Sequence, residues 1–504
     1  MLAFLATPAA HGMTGGDAVT RIDTHAAAVF LAGSRALKVK RAVRFPFLDF
    51  STLALRKAAC EAEIEANRAF APGLYRGVIA ITREAGGSLA IGGHGAAVEY
   101  AVNMARFDET RTLDRLAGTG PLDDTLAEAL GHVVAHGHAA TPPADGAAWI
   151  AALESYIADN DAALRATPGL FAPSEVDSLT AACRAALTRV TPLLRRRADG
   201  GLVRRGHGDL HLGNIALIDG RPLPFDALEF DPLVASGDLL YDLAFLLMDL
   251  CERGQPRAAS LVFNRYLAET GRDSDLDALA ALPLFMALRA AIRAKVTMAR
   301  PAFAASPTLR DDTRNYFAFA RRAIAPPRPR LVAIGGLSGT GKSALARAYA
   351  GLLPPLPGAV VIRSDVERKA LFGIAETGRL PPAAYAPEMT ARVYARVATK
   401  ARRAVMAGHS AIADAVFARP DERAAIEAAA REAGAAFLGL VLEADLATRL
   451  ERVGGRVHDA SDADAAVARQ QESYDFGPCG WTRVSAAGTP DQTLANVTRA
   501  VDPV

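Results

Sequence analysis

His207, Asp209, Asn214 and Asp226 are an imidazole, an amide and two carboxylates within 20 residues, types that could serve phosphate chemistry together. In the stretch HGDLHLGN, residues 207–214, Asp209 stands five positions before Asn214, and Asp226 follows the run IALI-DGR-PLPF. Asp-Gly between two short apolar runs signals a hairpin. Read as a three-residue loop, DGR pairs the strands about Gly220 and sets Asn214 across from Asp226, whereas a two-residue turn shifts this pairing by one position. An amide and a carboxylate meeting at the open end of a hairpin suit a hard cation such as Mg²⁺, which takes one or two protein oxygens plus water and phosphate. Asp209 would face the same cation-bound phosphate and accept the proton of an attacking hydroxyl.

A second constellation begins at GLSGTGKS, Gly336 to Ser343, which matches G-x-x-x-x-G-K-[ST] in full between an apolar run and a helical pattern. Backbone N–H groups of Gly336, Ser338, Gly339, Thr340 and Gly341 are expected to wrap phosphates. Lys342 would reach the β/γ oxygens and Ser343 would offer its hydroxyl to Mg²⁺, with the helix N-terminus adding a positive dipole. Downstream, VVIRSDVERKALFG runs an apolar strand into Asp365, with Arg368 three residues on. Asp365 could activate a substrate hydroxyl and Arg368 fix the substrate or neutralise developing charge. SAIADAVF ends another apolar strand on Asp414, a candidate for the magnesium-water shell that would otherwise be a helix cap. TRLERVGGR, followed by DASDAD, resembles the lid that small P-loop kinases close over ATP, a resemblance that favours Arg452 and Arg456.

The His-x-Asp-x-x-x-x-Asn pattern followed by Asp resembles the phosphotransfer site of protein kinases, and more closely that of aminoglycoside phosphotransferases and choline kinases. The resemblance implies Asp209 as catalytic base, Asn214 and Asp226 as magnesium ligands and His207 as a buttress, with Asp238 and Asp242 of GDLLYDLAFLLMD as structural residues. It also requires a strand lysine for the α/β-phosphates and a helix carboxylate to hold it. Strand alternation puts Lys38 and Lys40 of RALKVK on one face; the family pattern of an apolar pair before the lysine favours Lys38. Its partner comes from CEAEIEANRAF, where Glu61 shares a helix face with Ile64 and is preferred, with Glu63 the alternative. No G-x-G-x-x-G loop precedes Lys38. In the second half, Asp-x-x-Arg resembles polynucleotide-kinase-like P-loop kinases. As a whole the chain resembles bacterial bifunctional proteins that join an aminoglycoside-phosphotransferase-like half to an AAA-type ATP-binding half.

These residues need scaffolds, and 504 residues provide for two or three domains of about 100 to 200 residues. Hydrophobic residues at 51% and charged residues at 22% are ordinary for a globular protein. A net charge of +2 gives no broad basic field, so neither nucleic acid nor an anionic membrane is expected as a general partner. Phe45, Phe47 and Phe50 of RFPFLDFST read as core rather than as a nucleic-acid surface. Four scattered cysteines without a CxxC pair fit a reducing, cytoplasmic setting, and no run approaches the roughly 20 apolar residues of a membrane span.

The clearest seam is APPRPR, whose prolines cannot continue the preceding helix. The expected organisation is therefore a kinase-like α+β domain over residues 1–325, a proline-rich linker at 326–330, and an α/β P-loop kinase domain with a parallel sheet over 331–504. Within the first, short strands and one helix form a small lobe over about 20–105, and helices dominate a large lobe over about 107–322. Two nucleotide sites using ATP and Mg²⁺ to phosphorylate a small-molecule hydroxyl follow as the expected function. The alternatives are a regulatory protein whose first half is a pseudokinase, favoured by the missing glycine loop, and a nucleic-acid end kinase.

Overall fold

A computed structural model describes residues 1–14, 18–45, 48–455 and 460–501. The chain divides into two compact units, Met1–Ala163 with Leu187–Asp249, and Leu164–Ala186 with Leu250–Val504. Phe47 and Arg456 lie outside the described residues. Among those residues no helix is long and apolar enough to cross a membrane.

The first unit opens on a six-stranded antiparallel sheet. Its spatial order is Thr20–Asp23, Ala27–Ala32, Arg35–Lys40, Ala96–Ala105, Tyr75–Arg83 and Leu89–Ile91. Alternation along Arg35–Lys40 buries Leu37 and Val39 with Phe30 and Ala101 on one face. Lys38 and Lys40 are thereby directed to the other, the same-face relation that a period of two demands. On that second face lies the helix Leu53–Asn67, entered through Thr52, whose hydroxyl accepts from the Leu55 N–H. Arg56, Cys60, Glu63 and Asn67 are its buried residues, a stripe at helical spacing built largely from polar side chains.

The HGDLHLGN stretch leads into the hairpin Ile215–Ile218 and Arg221–Pro224. Ile218 pairs with Arg221, so Asp219 and Gly220 alone form the turn, both at positive φ (48° and 76°). That is the conformation a two-residue Asp-Gly hairpin adopts, because its twist matches the flanking strands. The three-residue DGR loop is thus corrected to the shorter turn. Asn214 meets Phe225, whose N–H donates to its carbonyl at 2.8 Å, and Asp226 lies one residue beyond the pairing.

The second unit carries a five-stranded parallel sheet in the order Val360–Arg363, Ala411–Asp414, Arg330–Gly335, Ala436–Glu443 and Thr482–Ser485. Val332, Ile334, Ile412, Leu440 and Leu442 fill its core with Leu345 and Tyr349 of the helix Lys342–Ala350. The helix Pro307–Ile324 stops before the prolines. The helix Pro256–Thr270, earlier in the sequence, packs in this same unit, and the Asn264 side chain pairs with the sheet's edge strand. Its Nδ2 donates to Ala359 O at 3.0 Å and its Oδ1 accepts from the Val361 N–H at 2.7 Å.

Candidate functional site

In the first unit a buried ion cluster joins strand, helix and hairpin. Lys38 Nζ lies 2.9 Å from Glu63 Oε1 and 2.5 Å from Asp226 Oδ1. Lys40 Nζ lies 2.5 Å from Glu63 Oε2 and also pairs with Glu229. Glu63 is therefore shared by both lysines. Burial alone would favour the neutral forms, but the mutual charges outweigh it: both ammonium groups are held above their ordinary pKa and Glu63 below its own. Asp226 sits at φ 60°, a left-handed conformation that costs a non-glycine residue roughly 1 kcal/mol or more and persists where neighbours enforce it. Here the Asp226 N–H donates to the Tyr75 hydroxyl at 3.0 Å and the Ala227 N–H to Asn67 Oδ1 at 2.9 Å.

Asp209 faces the amide expected beside it, for Asn214 Nδ2 donates to Asp209 Oδ2 at 2.9 Å and to Asp209 O at 3.0 Å. His207 is buried with Nε2 3.0 Å from Phe225 O, and burial lowers its pKa against the pull of Asp242, keeping the ring neutral. Asp242 accepts from the N–H groups of both His207 and Gly208, at 2.7 and 2.9 Å, and so shapes the loop. Arg197 holds the buried Asp238 through two nitrogens.

The preference for Glu61 is corrected. Glu61 is exposed and faces Lys57 at 3.6 Å, one turn away on the same helix. Two helical residues span about 200°, so Glu61 and Glu63 point to nearly opposite sides. The inner side belongs to Glu63. Apolar patterning misplaced it because the buried stripe contains Arg56, Glu63 and Asn67.

In the second unit the phosphate loop runs from Gly335 into the helix starting at Lys342. Two glycines are sterically required. A Cβ on Gly336 (φ 133°) would lie 2.6 Å from Leu442 O, and one on Gly339 (φ 88°) 2.6 Å from Arg449 O. The loop is pinned from outside, since Arg449 Nε donates to Ser338 O at 2.9 Å and the Ser338 N–H to Gln471 Oε1 at 2.7 Å. Inside it, Lys342 Nζ and Thr340 Oγ1 donate to Leu337 O at 3.1 and 2.8 Å. Ser343 Oγ donates to Asp414 Oδ2 at 2.6 Å, and Arg363 Nε lies 3.5 Å from the same oxygen. Asp365 is pushed above the ordinary carboxylate range by burial and by Asp414 beside it.

Ser338, Gly339, Thr340, Gly341, Lys342, Ser343, Asp365, Arg368, Asp414 and Arg452 all line one cavity of about 1410 Å³. Gly336 lies behind it, packed on Leu442. Arg368 is 7% exposed. Its Nη1 donates to Ala384 O at 2.6 Å and Thr390 Oγ1 at 3.2 Å, and its guanidinium lies 5.0 Å from the Tyr385 ring centroid. Arg452 donates to Ala486 O and Gly488 O at 2.8 and 2.6 Å, anchoring that loop at the cavity wall. Sequence reasoning did not single out Glu229, Tyr75 and Arg363. The first lies three residues past Asp226, and Arg363 two before Asp365, a proximity that could have marked each.

Two stretches of the chain are similar to known families. Residues 56–282 match the model of a phosphotransferase enzyme family, and residues 331–476 match that of an AAA domain. An uncharacterized protein of Mycobacterium tuberculosis is 29% identical over 498 residues, covering 96% of each chain. Among solved structures, a choline kinase from Cryptosporidium parvum is similar to 60% of this chain and 87% of its own, at 12% identity and TM-score 0.39. An APS kinase of Mycobacterium tuberculosis, in complex with AMPPNP and APS, is similar to 34% of this chain and 96% of its own, at 22% identity and TM-score 0.25.

Proposed function

We infer, from a chain that joins a phosphotransferase-family domain to an AAA-type P-loop domain, that the protein is a tandem ATP- and Mg²⁺-dependent kinase. Residues 1–325 and 331–504 are its functional halves, each transferring phosphate to a hydroxyl of a small molecule. The observation that carries the reading is the shared cavity of the second half, which gathers Lys342, Ser343, Asp414, Asp365 and Arg368. Its volume of about 1410 Å³ exceeds the roughly 300–1,000 Å³ of a one-ligand pocket and has room for a nucleotide and an acceptor together.

In the P-loop half Asp365 takes the proton of the acceptor hydroxyl while that oxygen forms a bond to the γ-phosphorus. The bond to the β-phosphate oxygen breaks and ADP leaves. Ser343 and Asp414 offer a hydroxyl and a carboxylate 2.6 Å apart, a hard-oxygen set that fits magnesium. Magnesium would there neutralise phosphate charge. Arg368 supports an acceptor that itself carries an anionic group. The residue is only 7% exposed, its Nε has no hydrogen-bond partner among the described residues, and none of their carboxylates pairs with it. A buried cation in that condition is costly until an anion meets it.

In the first half Asp209 is the base, Lys38 holds phosphate, and Asn214 with Asp226 would hold magnesium. Asn214 commits its amide nitrogen to Asp209, so its oxygen is the atom left for a cation. A second reading, a ligand-sensing first half without turnover, is favoured by the direct Lys38–Asp226 pair, which nucleotide must open. The test is incubation of the full chain with γ-labelled ATP, Mg²⁺ and fractionated metabolites. Label on anionic alcohols, lost in part with Asp209→Ala and in part with Lys342→Ala, is expected. Transfer that ignores Asp209→Ala but vanishes with Lys342→Ala would leave the first half a binding module.

A further inference from the structure

The kinase-like reading uses one strand lysine, and the chain buries two. Lys40 is 3% exposed, deeper than its partner in the phosphate role. Its Nζ touches two carboxylates, Glu63 Oε2 and Glu229 Oε1, and lies 5.4 Å from the Phe50 ring centroid. Burying an ammonium this completely is unfavourable unless its geometry is satisfied, so a bystander lysine would not be expected at this depth.

The spacing of the lysines points to what the second one does. Lys38 and Lys40 stand two apart on one strand face and grip Asp226 and Glu229, three apart on the segment after the hairpin. Glu63 closes the arrangement, accepting a hydrogen bond from Lys38 and forming an ion pair with Lys40. When a cation takes Asp226 and Lys38 turns to phosphate, the Lys38–Asp226 tie is given up. The Lys40–Glu229 tie then still links the Asp226 segment to the strand Arg35–Lys40, alongside the Tyr75 and Asn67 hydrogen bonds, and the Lys40–Glu63 pair keeps Glu63 beside Lys38. No glycine-rich G-x-G-x-x-G run precedes Lys38 to help hold the site, because Thr20–Asp23 and Ala27–Ala32 are joined by a short turn containing Thr24, His25 and Ala26.

We propose that Lys40 is a positioning residue of the first nucleotide site, holding Glu63 and Glu229 so that Lys38 and Asp226 stay in place after Lys38 releases Asp226 for phosphate. The proposal rests on the reading of the first half as a nucleotide site. Lys40 acts through these carboxylates and does not touch the nucleotide.

The experiment measures binding of a non-hydrolysable ATP analogue, with Mg²⁺ titrated, to the full chain carrying Lys342→Ala. The signal is the component that Lys38→Met removes. Lys40→Met is expected to weaken that component about 10- to 100-fold, as loss of an outer-shell partner typically does, and to raise the Mg²⁺ concentration needed for half-saturation. Lys40→Arg should recover most of both, and Glu229→Gln should reproduce the magnesium shift at smaller amplitude. Melting temperature is followed alongside, since a purely structural lysine would lower it with analogue affinity and Mg²⁺ dependence unmoved in the folded fraction. That result overturns the proposal. If Lys38→Met removes no binding at all, the nucleotide-site reading fails first and takes the proposal with it; if it does and Lys40→Met changes nothing, only the role of Lys40 falls.

Discussion

Ser343 Oγ donates to Asp414 Oδ2 over 2.6 Å, tying the first turn of the helix Lys342–Ala350 to the end of the strand Ala411–Asp414. The bond brings together two oxygens from strand and helix, and it sets Asp414 close enough to raise the pKa of Asp365.

Asp414→Ala is therefore expected to act on magnesium use rather than on folding. With Asp414 in the proposed magnesium role, its loss should lower kcat/KM of the Lys342-dependent transfer by at least about 10- to 100-fold and raise the Mg²⁺ requirement. A Mg²⁺ titration of label transfer checks this, with the Asp209-dependent transfer as the unaffected internal control.

Asp365→Asn should cost the same half about 10²- to 10⁴-fold, the usual contribution of a general base. The pH profile gives the sign. The base works deprotonated, and burial with Asp414 raises its pKa above the roughly 3.9 of a free aspartate, so kcat/KM should climb with pH through that raised value and then level. Arg363 pulls in the other direction, so Arg363→Met should move the acid limb to still higher pH. A limb at the ordinary aspartate value would remove Asp365 from the role.

The parts of both sites that sequence revealed are those with fixed chemistry at fixed spacing. The phosphate loop is legible because only glycine fits against Leu442 and Arg449, and Asp209 with Asn214 because both lie on one tight loop. Asp414 announces itself at the end of an apolar strand, and Asp365 just past one, in the first turn of the helix Ser364–Leu371. What sequence could not decide was orientation. One residue more or less in the DGR turn moves Asp226 off the pairing with Asn214, and positive φ at Asp219 is a backbone fact that the letters only hint at. Glu63 was obscured for a different reason, since a buried ionic stripe carries no apolar periodicity to read. Likewise the proline-rich stretch marks where a helix must stop, while Asn264, far upstream of it, pairs with the edge of the P-loop sheet.

The two glutamates on the helix Leu53–Asn67 offer a stability contrast. Glu63→Gln leaves two buried ammonium groups short of their shared carboxylate, a loss of about 3 to 5 kcal/mol for a broken buried pair. Glu61→Gln removes an exposed pair with Lys57 and should stay within about 0.5 kcal/mol. Denaturant unfolding of the full chain, followed at the first transition lost, distinguishes them; equal effects would mean that the buried cluster contributes nothing.

A last prediction concerns acid stability of the second unit, and it turns on a histidine with no part in transfer. His409 is buried, its Nε2 2.7 Å from Gly358 O and its ring 5.3 Å from that of Phe263. Burial lowers its pKa from 6.5 to about 4, the carbonyl opposing only in part. With the folded value below the unfolded one, the unfolded chain binds the extra proton first. The contribution of the neutral ring is thus complete above pH 6.5 and declines as pH falls toward 4. A displacement of that size corresponds to about 3 kcal/mol, a substantial share of a typical domain's stability. His409→Gln can still donate to Gly358 but cannot take up the proton. It is expected to be somewhat less stable at neutral pH and to show a shallower loss of unfolding free energy between pH 6.5 and 4. Parallel pH curves for the two proteins would show that His409 is not the group responsible, since packing loss alone shifts the curve without changing its slope.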